Sequence, residues 1–206
     1  SSALTTSGNV FRPFYGGNID GYMAAIDQKS NQLKYVTYLG TNQYDQSYFI
    51  DIDSDNYVYA LGQTTGQFPV KAVSGKSLYV NNNSGQFIIK LNHQLQDDAN
   101  CFSTIFGSGI LLPNISLTAF LVNECGNIYV SGFGLLPSQP GYITLGTNNL
   151  PVTENAFQTT TDNGDFYFMV LLNDAQELLY ATYFGGDENP GQEHVDGGTS
   201  RFDRRG

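Results

Sequence analysis

Tryptophan is absent, charge is scarce, and the cysteines number two. Each shortage excludes something. Asp, Glu, Lys and Arg make up 14% of the 206 residues, well short of the roughly one quarter found in an ordinary soluble domain. The polar surface must therefore come from Asn, Gln, Ser, Thr and Gly. Lys and Arg number 9 against 19 Asp and Glu, for a net charge of −10. So few cations cannot assemble a basic stripe, which excludes nucleic acid as a partner and disfavours anionic membrane surfaces. No apolar run approaches the ~20 residues of a spanning helix, so no membrane insertion is expected. With no Cys-x-x-Cys and two isolated histidines, no zinc site is written. Cys101 and Cys125 are either two separate buried thiols or a single disulfide. No serine nucleophile elbow and no phosphate-cradling glycine loop is present, so neither a cofactor nor an enzymatic activity is expected.

What the chain does have is aromatics, glycine and repetition. Tyr and Phe number 14 each and Gly 23, with 40% of residues hydrophobic. Many aromatics and few strong helix formers favour strands and turns. Tyr35-Val36-Thr37-Tyr38-Leu39-Gly40 recurs as Phe102-Ser103-Thr104-Ile105-Phe106-Gly107 and again as Tyr180-Ala181-Thr182-Tyr183-Phe184-Gly185. The threonines stand 67 and 78 residues apart. Ile50-Asp51-Ile52-Asp53-Ser54-Asp55-Asn56-Tyr57-Val58 matches Phe120-Leu121-Val122-Asn123-Glu124-Cys125-Gly126-Asn127-Ile128 at a spacing of 70. A third motif leads from a polar loop into Asp20-Gly21-Tyr22-Met23, Gln86-Phe87-Ile88-Ile89 and Asp165-Phe166-Tyr167-Phe168. Three motifs in one cyclic order define a repeat.

Each repeat reads as four strands. The Asp-x-x-Gly-Asn turn joins two short strands, since Asp and Asn tolerate the left-handed backbone that hairpin turns require. Ile50 and Ile52 show the period-2 alternation of a half-buried strand, which makes Asp51 an outward-facing residue. Asp174 to Leu179 is the only helix-like window and is read as a loop holding at most one helical turn. Four strands per repeat, with Gly and aromatics at fixed offsets, indicate an all-β chain, a fragment of a β-propeller with four-stranded blades. The expected division is residues 1–40 as the end of one blade, 41–107 and 108–186 as the second and third, and 187–206 as the start of a fourth. That amounts to about eleven strands, or about two and three-quarter blades, fewer than the roughly four to eight that close a ring. Unpaired strand edges and apolar blade faces are then expected at its ends, an aggregation liability. Because Ser1 is not an initiator methionine, an N-terminal segment such as a signal peptide is expected to be missing.

The Tyr-x-Thr-Tyr-Leu-Gly, Asp-x-x-Gly-Asn-like and Phe-Pro-x-x elements together resemble the SBBP β-propeller repeat. The tail His194-Val195-Asp196-Gly197-Gly198-Thr199-Ser200-Arg201-Phe202-Asp203 and the run Asn123 to Gly132 resemble repeats of very long Bacteroidetes surface proteins. The resemblance implies an exported, outer-surface location, gliding motility or adhesion, and type IX secretion with PKD-type domains nearby. It also implies partners: the remaining blades and domains of one longer chain, type IX secretion components, and polysaccharide or surface protein. The expected function is a non-catalytic binding or spacer module. The alternatives are an extracellular glycan-acting propeller enzyme and a passenger substrate captured with the secretion machinery.

Several residues stand out as candidate sites. Asp51, Asp53 and Asp55 superficially match a calcium loop, but Asn56 and Gly62 stand where that loop needs Gly and Glu. The plainer account makes Asp53 to Asn56 the hairpin turn. Asp187, Glu188, Glu193, His194 and Asp196 read as a solvated acidic loop rather than as the carboxylate pair of a glycosidase. Tyr44, Tyr48 and Tyr142 are placed in loops, where their rings could stack on sugars.

Overall fold

The computed structural model describes residues 9–134, 145–186, 193, 195 and 201–203. Among these there is no α-helix, and ten strands form three antiparallel sheets. The first sheet pairs β1 (Gly21–Ile26) with β2 (Leu33–Leu39). The second is a meander of β3 (Asp45–Ile52), β4 (Val58–Thr64), β5 (Gln86–Leu91) and β6 (Phe102–Phe106). The third repeats that order with β7 (Ile115–Val122), β8 (Ile128–Gly134), β9 (Phe166–Leu171) and β10 (Leu178–Phe184).

Strand β4 reads Val-Tyr-Ala-Leu-Gly-Gln-Thr and β5 reads Gln-Phe-Ile-Ile-Lys-Leu, and every residue of both is buried. A strand covered on both faces has no reason to alternate polar with apolar, and these two do not. Alternate side chains instead enter two different cores. Val58, Ala60, Phe87 and Ile89 meet Met23 and Leu39 of the first sheet. Tyr59, Leu61 and Ile88 turn the other way, onto Ile115, Val130 and Met169 of the third. The middle sheet is thus the shared wall of two cores, and burial of these side chains stabilises each by roughly 1.5–3 kcal/mol per large residue.

Two expectations need correction. Ile50 and Ile52 do alternate with Asp51, but in the opposite sense: the isoleucines are 60% and 58% exposed while Asp51 turns inward. Asp51 Oδ2 accepts the Val122 N–H at 2.7 Å, a hydrogen bond between the second and third sheets that an apolar residue could not make. Tyr48 lies within β3, not in a loop. The window at Asp174 agrees with its reading as a loop with one helical turn: a single 3₁₀ turn, Asn173–Ala175, lies just ahead of β10. The described residues hold ten strands, and Arg201, Phe202 and Asp203 lie outside any of them. The Phe202 ring instead lies 5.7 Å from that of Tyr129.

Candidate functional site

Two equivalent turns build one end of the groove between the second and third sheets. Between β3 and β4, Asp53 Oδ1 accepts the N–H groups of Asp55 at 3.0 Å and Tyr57 at 2.8 Å, while Asn56 takes φ 65°. Between β7 and β8, Asn123 Oδ1 accepts those of Cys125 at 3.0 Å and Asn127 at 2.9 Å, while Gly126 takes φ 78°. A short polar side chain at the first position and a residue tolerant of positive φ at the fourth are what such a turn requires. The same scaffold therefore presents a carboxylate in one sheet and an amide in the next.

Between these turns lies a polar cleft of about 350 Å³, closed on its third side by the 3₁₀ turn. Asp174, 5% exposed, adopts φ 57° and receives the Lys76 ammonium at 2.5 Å and the Lys90 ammonium at 2.9 Å. Lys90 is itself buried, 3.7 Å from Asp53 Oδ2 and 4.5 Å from the Tyr57 ring centroid, where a cation is attracted to the aromatic face. The Tyr59 hydroxyl donates to Asp53 Oδ2 at 3.1 Å. Burial works to raise the Asp174 carboxyl, but hydrogen bonds from Lys76 and Lys90 outweigh it and hold it below the ordinary range. Burial, followed by the charges of Asp53 and Asp174, pushes the Tyr59 phenol well up. At neutral pH the cleft floor is an ionic network that satisfies itself. Its rim offers Asp55, Asn100, Asn123 and Glu124 to solvent or ligand.

Sequence reasoning singled out Asp51, Asp53 and Asp55, and the fold separates them. Asp51 bonds across to the third sheet, Asp53 organises the turn and faces Lys90, and Asp55 is exposed on the rim. Tyr44 precedes β3 and donates its hydroxyl to Gln46, and Tyr48, 41% exposed, donates to Gln63 Oε1 at 3.1 Å. Tyr142 lies outside the described residues, as do Asp187, Glu188, His194 and Asp196.

Cys101 and Cys125 are separate free thiols. Cys101 is buried as expected, but Cys125 is exposed on its turn. Burial pushes the Cys101 thiol up to about 12. Glu193 is not a solvated loop carboxylate: its Oε1 accepts the Gly186 N–H at 2.8 Å and its Oε2 is buried. Lys76, Lys90, Asp174, Asp162 and Asp165 were not read as site residues. For Lys90 there was a signal, a lysine inside the otherwise apolar Phe-Ile-Ile-Lys-Leu strand, because a buried lysine needs a partner.

No curated protein matches this chain. The family model described as a β-propeller repeat, SBBP, matches residues 34–69. That span runs from β2 of the first sheet through β3 and β4 of the second, so the sequence repeat straddles two sheets rather than coinciding with one. The chain is all-β and carries an SBBP β-propeller repeat at residues 34–69, the stretch that supplies the Asp53 turn of the cleft.

Proposed function

We propose that this chain is a non-catalytic binding or spacer module of a secreted bacterial cell-surface protein, acting in adhesion or gliding motility. The observation that carries the reading is the cleft between the second and third sheets. On its floor Lys76 and Lys90 pair with Asp174 and Asp53, while its rim offers the hydrogen-bonding groups of Asp55, Asn100, Asn123 and Glu124. Such a surface suits wet, hydrogen-bonded contact with polysaccharide or protein. The scarcity of charge, at 14% of residues, favours the same kind of contact over electrostatic capture. The Bacteroidetes surface setting, with export by the type IX route, rests on the resemblance of the tail and the Asn123 to Gly132 run.

The test is a screen of the purified protein against immobilised bacterial polysaccharides, repeated with Asn100→Ala and Glu124→Ala. Saturable binding that either substitution weakens about tenfold, roughly 1.4 kcal/mol, supports the cleft. Binding unaffected by both substitutions, or turnover of any polymer that binds, would sink the reading.

A further inference from the structure

Two places in the fold hold carboxylates whose oxygens are shielded from water without a partner, and the repeat relates them. Asp20 immediately precedes β1, and Asp165 immediately precedes β9. Gly40 and Gly185 follow the strands that pair with β1 and β9, and each lies directly against its aspartate, so that a Cβ there would strike the carboxylate. A second carboxylate arrives from beyond the glycine. Asp45 Oδ2 accepts the Thr41 N–H at 2.5 Å, and Glu193 Oε1 accepts the Gly186 N–H at 2.8 Å. Thr41 and Gly186 are the residues after the two glycines; in the middle sheet Ser108, after Gly107, makes the same bond to Asn114 Oδ1 at 2.8 Å, so there the position takes a neutral amide.

The first aspartates also spend one oxygen each: Asp20 Oδ2 takes the Gly16 N–H at 2.7 Å, and Asp165 Oδ2 takes the Gln158 amide at 3.0 Å. What remains is one buried, unpartnered oxygen on each of Asp20, Asp45, Asp165 and Glu193. Asp45 and Asp165 are 0% exposed. At the second place Asp162 joins, one oxygen accepting the Gly164 N–H at 2.9 Å and the other buried without a partner. In the middle sheet Gly85 takes the equivalent position, and the backbone of Leu112 and Pro113 fills the space. Strand geometry alone therefore does not demand the carboxylates.

Buried carboxylate oxygens without partners are strongly unfavourable, and adjacent like charges add repulsion. A proton shared between two acids would remove one charge of three. A hard divalent cation would satisfy all three oxygens. Ligand oxygens of Asp162, Asp165 and Glu193 lie within 4.8 Å of one another, and two oxygens each about 2.3–2.6 Å from a calcium ion are at most about 5 Å apart. The donor set is all oxygen, which suits calcium rather than zinc or copper. A glycosidase pair is a poor fit, because no polymer reaches a fully buried Asp165.

The geometry points to a structural calcium site formed by Asp162, Asp165 and Glu193, which fastens Glu193 to the start of β9. The place at Asp20 and Asp45 has two carboxylates rather than three and the Arg12 cation beside them, so any calcium taken up there is held more weakly, since affinity rises with the number of charged ligands.

Calorimetric titration of chelator-stripped protein with calcium chloride, alongside thermal melts, tests this. The expected result is one saturable calcium per chain in the tighter class, with a melting temperature raised by at least about 4 °C at saturating ion. Glu193→Gln and Asp162→Asn, each keeping its backbone hydrogen bond, should each weaken that class at least tenfold. Asp45→Asn should leave it unchanged. No saturable binding at millimolar calcium, or equal binding in Glu193→Gln and Asp162→Asn, overturns the site. So does a melt raised by Asp165→Asn with no calcium response in the parent, the mark of a shared proton.

Discussion

Asp174 adopts φ 57°, a left-handed backbone that Asp and Asn tolerate better than most residues, and this turns its carboxylate toward Lys76 and Lys90. Its folded pKa lies below the ordinary 3.8, so its contribution to stability is full above that value and is lost as pH falls through the depressed one. Asp174→Asn keeps the backbone preference and removes only the charge. It is expected to cost up to about 3 kcal/mol at pH 7, the lower end of the roughly 3–5 kcal/mol for breaking a buried pair, because Lys90 keeps Asp53 Oδ2 at 3.7 Å. Urea unfolding at pH 7 and again near pH 3 should show that gap narrowing at the lower pH. A gap that is constant with pH would assign the loss to packing instead.

Lys90 was legible at this scale as a lone lysine in an apolar strand. Its partner was not, since Lys90 and Asp174 are separated by 84 residues and no local pattern relates them. The cleft's floor is a tertiary fact, whereas its two turns are written in Asp53–Asn56 and Asn123–Gly126.

Within strands, the glycine that ends Ala60-Leu61-Gly62 and Val130-Ser131-Gly132 marks a close approach. Both sit beside a register shift, between Ser47 and Phe49 in one sheet and between Leu117 and Ala119 in the other. A Cβ on Gly132 would lie 2.7 Å from the Ser116 carbonyl oxygen and 2.8 Å from Ile115 Cδ1, and one on Gly62 would strike the Gln46 carbonyl and the Phe87 ring. Gly62→Ala and Gly132→Ala are each expected to cost about 1–3 kcal/mol by overpacking, read as a melting temperature lower by roughly 2–4 °C per kcal/mol. Two neutral substitutions would show that the strands move apart freely and that the close approach at these glycines does not constrain the sheet.

The offset of these glycines was visible as part of the repeat, but its cause was not. A bulge depends on which residues end up opposite each other, and sequence spacing does not say. The same blindness inverted β3. Alternation locates the two faces of a strand without saying which is inside, and Asp51 goes inward because the Val122 N–H needs an acceptor there.

At the scale of the molecule, sheets joined face to face behave as a short linear array in which each unit is stabilised by its neighbours. The first sheet has two strands and shares one core with the second, through Met23 and Leu39. The second shares cores on both faces, and the third meets it through Ile88 and its neighbours. Local stability should follow that order, since elements with fewer buried contacts open more easily. Amide exchange is therefore expected to be fastest in residues 21–39 and slowest in β4 and β5.

Truncation separates the two interfaces. Met23→Ala removes about 2–5 kcal/mol of packing from the first interface alone, so it should speed exchange in residues 21–39 and leave β7 to β10 protected. Ile88→Ala acts on the second interface and should speed exchange in β7 to β10. It should also speed exchange in the first sheet, whose described core rests on the middle sheet that this substitution loosens. If both substitutions instead accelerate exchange equally over all three sheets, the molecule unfolds as one cooperative unit. The two cores would then be a single one in energetic terms, despite the wall of β4 and β5 between them.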